Sequence, residues 1–208
     1  MSGDHAGTVR LTGPNLTLRY AEPADAAALF ALAADPEVTR WFSWGPYASA
    51  DEPLAYIERL PAERRRGERL DLLVDHRERG PLGVTGLSEL SRRDRRAMVG
   101  TWLGREHWGT GANAESKGLL LHLAFSVCGL ERVGAYSNPD NARSTRALER
   151  LGFRHEGVLR AWHRHGDVHH DVNVFGLLRS GWPGAPFDVV VEGEPPAQWL
   201  VRPGAAPS

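Results

Sequence analysis

Lysine and cysteine are almost missing from this 208-residue chain. Lys117 is the sole lysine among 25 basic residues, and Cys128 is the sole cysteine. One cysteine excludes an intrachain disulfide and a cysteine-based zinc site. It fits a small buried side chain on an apolar helix face. Charge of one sign is missing too. The formal net charge is −1 and the pI is near 6.8, whereas a dedicated nucleic-acid binder is usually basic. No apolar run reaches the ~18–20 residues of a membrane span. The opening MSGDHAGTVRLTG carries an acid early and no apolar stretch, unlike a secretory leader. A cytoplasmic location is therefore the default expectation. The excess of Arg over Lys, beside many Ala, Gly and Pro, fits a GC-rich coding sequence and argues little for arginine-specific chemistry.

What is present is ordinary globular composition, with 41% hydrophobic and 25% charged residues. The length suits one domain of roughly 150 residues plus a tail. A chain of this size buries about 70% of its unfolded surface, enough for a single core.

Residues 1–14 are polar and glycine-bearing, and read as a flexible N-terminus. Leu16, Leu18 and Tyr20 alternate with Thr17 and Arg19, the spacing of a strand. Pro23 opens a helix through the alanines to Ala34, and Asp35-Pro36 breaks it. A second helix covers 51–66. The aromatic loop WFSWGPY lies between the two. Strands are expected over 71–76, 82–90 and 97–104, with SRRDRR (91–96) as a hairpin connection. The turn WGTGAN (108–113) opens a helix whose apolar stripe includes Leu120, Leu121, Ala124, Phe125 and Cys128. A strand over 132–136 precedes an amphipathic helix over 141–151, ended by Gly152. Two last strands, 154–162 and 168–178, flank the turn His165-Gly166-Asp167. Residues 15–182 thus form one mixed α/β domain. Residues 183–208 read as a Pro/Gly-rich tail with one apolar run, Val189–Val191, suited to a docked strand.

Two strand-to-helix junctions carry the chemical signal. Gly109 and Gly111 stand just before a helix, where backbone N–H groups and the helix terminus favour an anion such as a pyrophosphate. A GxG turn alone serves equally well as a tight turn without ligand. The spacing is not GxGxxG, and GxxxxGK[ST] is absent, which disfavours a Rossmann or Walker site. At the second junction, NARS (141–144), Asn141 suits an N-cap and Ser144 falls on the first turn.

The runs EHWGTGANAESKGLLLHLAF, NARSTRALERLGFRHEGVLR and HHDVNVFGLL together resemble the GNAT N-acetyltransferase superfamily, and within it the ribosomal-protein Nα-acetyltransferase (Rim-type) branch. The resemblance covers about residues 16–180. It implies an α/β fold with a mixed, twisted central sheet splayed in the middle and flanked by helices. It implies acetyl-CoA as cosubstrate, with no metal. By that match Trp108, Gly109, Thr110, Gly111, Ala112 and Asn113 carry over to cofactor binding, with the GxG turn and helix N-terminus expected to hold the pyrophosphate. Trp102 and Leu103 pair with the pantetheine arm, as does Asn141. The family often carries Gln or Arg where this chain has Glu106; Arg105 stands beside it as a substitute.

The implied reaction is direct acetyl transfer from thioester to amine. A base takes the amine proton and a donor meets the departing thiolate. Many relatives use a tyrosine after the asparagine; residues 141–152 contain none. Ser144 matches the serine of the ribosomal-protein branch. The carboxylate of that branch is replaced here by His163, an imidazole that titrates near neutrality. Glu89 is the rival base and His107 a third candidate. Trp41, Phe42 and Trp44, with Tyr47, are candidates for an apolar or cation-binding acceptor wall. Acceptors implied are a small-molecule amine or a protein N-terminus, with neither nucleic acid nor membrane as partner. Homodimers are common in the family.

Two other readings stay open at this stage. A non-catalytic acyl-CoA-binding module accommodates the missing tyrosine and Glu106. A metal-dependent hydrolase would need His163, His165, His169, His170 and Asp171 to converge, yet adjacent residues on a strand point to opposite faces.

Overall fold

The structure, a computed structural model, describes residues 8–201. Nine strands form one sheet: β1 (Arg10–Thr12), β2 (Leu16–Arg19), β3 (Arg69–His76), β4 (Gly80–Ser91), β5 (Arg96–Leu103), β6 (Arg132–Ser137), β7 (Arg154–His165), β8 (Val168–Leu178) and β9 (Val190–Glu192). Their spatial order is β7-β8-β6-β5-β4-β3-β2-β1-β9. Among the described residues only the β5–β6 pair is parallel. A parallel pair needs a crossover, and here that crossover is a helix.

The helices are α1 (Ala26–Ala33), α2 (Pro36–Thr39), α3 (Asp51–Arg66), α4 (Ala112–His122) and α5 (Ala142–Arg150). Asp35 both ends α1 and starts α2, because its side chain accepts from the Glu37 N–H. Helix α3 carries Asp51 and Glu52 in its first turn and Arg64, Arg65 and Arg66 in its last, which complements the helix dipole. Helix α4 continues as a π-helical turn, Leu123–Val127. Cys128 ends this segment buried, and burial pushes its thiol up to about 12.

The sheet is covered on both faces. On one, Leu119, Leu120, Leu123 and Phe125 pack on Leu18, Leu70, Leu72 and Val133. On the other, Leu29 of α1 and Ile57 and Leu60 of α3 pack on Leu73 and Val84. None of the helices among the described residues is long and apolar enough to cross a membrane.

Both ends of the domain are more ordered than expected, although the expected docked strand around Val189–Val191 does form, as β9. The flexible N-terminus read over 1–14 does not describe residues 9–12, where β1 forms and Val9 and Leu11 are buried. Residues 1–7 lie outside the described residues. The stretch read as a tail over 183–208 packs on the domain as far as residue 201. Strand β9 pairs with β1, and Trp199 is fully buried with its Nε1 donating to the Arg64 carbonyl at 3.1 Å. Proline and glycine here direct the path of a chain whose few large apolar residues dock on the domain.

The ladder between β5 and β6 runs from Arg96↔Arg132 to Val99↔Ala135 and stops. Strand β5 continues to Leu103, and β6 to Ser137, without pairing to each other. The two strands splay apart there. A cleft of about 1310 Å³ opens at the splay.

Candidate active site

The glycine turn lies on this cleft. Gly109 (φ 77°) and Gly111 (φ 92°) hold left-handed conformations, which a Cβ disfavours. Space beside both is open. Among the described residues the N–H groups of Gly109, Thr110, Gly111 and Asn113 take no protein acceptor. They remain available to an anion at the α4 N-terminus. Thr110 and Ala112 contribute no side chain to the cleft lining. Thr110 Oγ1 donates to the His107 carbonyl at 2.9 Å, bracing the turn, and Ala112 is buried in the core.

Trp102 and Leu103 lie on the splayed part of β5 and line the cleft. Their ladder to β4 is intact, so the edge toward β6 is the one left without a strand. Trp108 is anchored by its Nε1 donating to the Leu103 carbonyl at 2.9 Å. The Arg143 guanidinium lies over its ring.

Across the cleft, Asn141 caps α5 by accepting from the Ser144 N–H at 3.1 Å. Asn141 and Ser144 both line the cleft. Glu89 and His163 come together as well, around a residue the sequence reading passed over. Tyr136 donates to Glu89 Oε2 at 3.4 Å. Its ring meets His163 edge-on at 5.4 Å. Bulges aim this group: Glu89 and Ala161 both hold φ 51° where the β4–β5 and β7–β8 registers shift. Such bulges re-aim neighbouring side chains. Burial lowers the His163 pKa, and the Glu89 charge opposes that. Burial, with Glu89, raises that of Tyr136.

His107 does not line the cleft. It is buried beneath the turn and pairs with Glu106 at 3.5 Å, which removes it as a candidate base. Glu106 is 67% exposed and Arg105 pairs with Asp35 at 3.8 Å. Neither lines the cleft, so the backbone donors are left to meet an anion. His165 and His170 stand 4.8 Å apart by ring centroid. Among the described residues no three His, Cys, Asp or Glu side chains form a set that could hold a metal.

The aromatic loop closes one side. Trp41, Phe42, Trp44 and Tyr47 line the cleft. Trp44 packs edge-on against Trp102 at 5.5 Å and touches Phe42 and Tyr47 at 5.4 and 5.3 Å. Two further residues escaped the sequence reading. Lys117 lines the cleft from α4, its Nζ donating to Thr101 Oγ1 at 2.8 Å. Burial pushes its pKa down to about 8. Asp71 on β3 accepts from Tyr56 at 2.5 Å and from Arg69 at 3.1 Å. Being the only lysine was the one available signal for Lys117. Nothing in the local sequence marked Asp71.

The splayed parallel pair, the glycine turn on the crossover helix and the capped α5 define an acetyl-transfer fold. Residues 15–154 match the model of the acetyltransferase (GNAT) domain, and the chain belongs to that family and is an N-acetyltransferase. It is 32% identical over 167 residues to the uncharacterized N-acetyltransferase YoaA of Bacillus subtilis, covering 79% of this chain and 93% of the relative. It is 28% identical over 97 residues to the ribosomal-protein-serine acetyltransferase of Escherichia coli, covering 47% of this chain and 54% of that one. A solved structure of the microcin C7 self-immunity acetyltransferase MccE, in complex with acetyl-CoA and AMP, superposes with a TM-score of 0.71. That match covers 79% of this chain and 92% of the other at 22% identity, and bears on the fold alone.

Proposed function

We propose that the protein moves an acetyl group from acetyl-CoA directly to the primary amine of a small molecule or of a protein N-terminus. The observation that carries this reading is the splay itself. An unpaired β5 edge leads to a turn whose amide donors are free, and both lie on one cleft. A pantetheine-like arm finds peptide partners along Gly100–Leu103. A pyrophosphate finds N–H donors at Gly109, Gly111 and Asn113, with the α4 dipole behind them. When bound, acetyl-CoA would supply the activated acyl group.

The chain's own residues cover the remaining tasks. Ser144 offers a hydroxyl to the leaving sulfur. Glu89 and His163, joined through Tyr136, take the amine proton directly or through water. Asn141 holds α5 in place and presents its remaining amide group to the cleft. Trp41, Phe42 and Trp44 wall the acceptor side, where the aromatic lining favours a small amine over a polypeptide end.

Calorimetry with acetyl-CoA, followed by CoA release in the presence of amines and N-terminal peptides, tests this reading. Binding with turnover on one acceptor class supports it. Binding with no turnover on any amine would favour a non-catalytic acyl-CoA-binding module. No binding would overturn both.

A further inference from the structure

Asp71, Gly86 and Gly100 are direct cross-strand partners on β3, β4 and β5. Directly opposed residues share one face of a sheet, so these three form a row about 10 Å long. The row ends at Gly100, the first β5 residue past the β6 ladder. Its middle has no side chains, and space beside Gly100 is open. The neighbouring rows are Val84–Trp102 on one side and Ser88–Met98 on the other. The result is a trough on the sheet, leading from the splay to a carboxylate.

That carboxylate is held unevenly. Tyr56 and Arg69 both donate to Oδ2. Among the described residues Oδ1 takes no donor, although the side chain is only 10% exposed. Oδ1 leans over Gly86, where an added Cβ would overlap it. Asp71 and Gly86 both line the cleft. The side chain is mostly buried, yet among the described residues its Oδ1 is left without a protein donor on the cleft, where a ligand can supply one. Trp102 and Trp44 stand beside the trough, and aromatic faces attract organic cations.

We propose that Asp71 anchors the acceptor: a small alkyl or arylalkyl amine arrives as its primary ammonium over Gly86 and Gly100, gives one proton to the Glu89–Tyr136–His163 group, and attacks the thioester as a neutral amine still donating a hydrogen bond to the free Oδ1 of Asp71. The inference rests on the acetyl-transfer reading and names the substrate class for it. Oδ2, with its two donors, fixes the carboxylate plane, while Gly86 leaves room for Oδ1 and the amine. Asp71 is thereby distinct from the Glu89–Tyr136–His163 group, which takes the proton.

The test uses the full chain, acetyl-CoA, and a panel of butylamine, 2-phenylethylamine and a tetrapeptide with a free N-terminus. Asp71→Asn keeps an acceptor for Tyr56 and Arg69 but places an N–H donor where Oδ1 was. It should raise the amine KM at least about thirtyfold while the acetyl-CoA Kd stays within about twofold, the split expected of a binding group. An unchanged amine KM in a folded variant would overturn the anchor and leave the acetyl-transfer reading intact. Wild-type protein gives an independent readout by calorimetry in the presence of CoA. It should bind 2-phenylethylamine at least about tenfold more tightly than 2-phenylethanol, as a charge-assisted hydrogen bond requires. Equal affinities, or acetylation of the tetrapeptide alone, would overturn the assignment. A wild-type chain that neither binds nor turns over acetyl-CoA would remove the reading and the inference with it.

Discussion

The Arg143 guanidinium carbon lies 3.3 Å from the centroid of the Trp108 ring. Arg143 belongs to the first turn of α5 and Trp108 leads into the glycine turn, so the contact bridges the two strand-to-helix junctions across the cleft. The pair brings a fixed positive charge next to free amide donors. Arg143→Ala should weaken acetyl-CoA binding about tenfold and flatten its salt dependence, because a charge-assisted contact to phosphate is lost. Calorimetry at low and high salt measures both, and an unchanged Kd would remove Arg143 from the phosphate site.

Gly111→Val tests the turn. Valine at φ 92° is strained by roughly 1–3 kcal/mol, and its side chain enters the open space beside the turn. Acetyl-CoA affinity should fall by far more than thermal stability predicts. Equal affinity in a folded variant would show that no ligand backbone approaches there.

Asn141→Ala separates capping from binding. Loss of the 3.1 Å bond from the Ser144 N–H should cost about 1 kcal/mol of stability. Acetyl-CoA affinity should fall as well. Were urea unfolding to show the stability loss with affinity untouched, Asn141 would be a cap and nothing more.

Lys117 predicts a pH dependence of stability. Its folded pKa is about 8, below the ordinary lysine value of 10.5. Between those values the unfolded chain binds more protons than the folded one, so stability rises as pH climbs through that window. Below pH 8 the buried charge is a standing penalty. Lys117→Met should stabilise the protein by ~1–2 kcal/mol at pH 7 and abolish the rise above pH 8. Urea titrations from pH 7 to 10 measure it; parallel curves for both proteins would refute it.

The order of elements was legible because each rests on local signals. Gly109, Gly111 and Gly152 mark the turns that only positive φ allows, and Asn141 caps where its side chain reaches its own backbone. Of the docked ends, only the strand around Val189–Val191 was legible. Val9, Leu11 and Trp199 sit in short, Pro- or Gly-flanked segments with no periodicity, and their burial comes from partners far away in sequence. The α4 helix was legible as a helix, but its inward Lys117 was not, since a single cation on an amphipathic pattern reads as surface.

The candidate site divides along the same line. The proposed cofactor side is made of backbone: glycines, an amide-rich turn, an unpaired strand edge. The glycines and the amide-rich turn follow from local conformation, so residues 108–113 and 141–144 announce them, whereas the unpaired edge was implied only by the family resemblance. Apart from the aromatic loop, the proposed acceptor side is made of side chains from β3, β4, β6, β7 and α3 that meet only when the sheet assembles. Tyr136 joins Glu89 to His163 through two bulges, and Asp71 faces Gly100 through two inter-strand registers. Register is a property of paired strands, and a shift of one residue turns every side chain to the other face. The sequence alone therefore determined the fold class and the glycine turn and cap assigned to the proposed cofactor side, and tertiary pairing decided that Tyr136 and Asp71 join Glu89 and His163 on the same cleft.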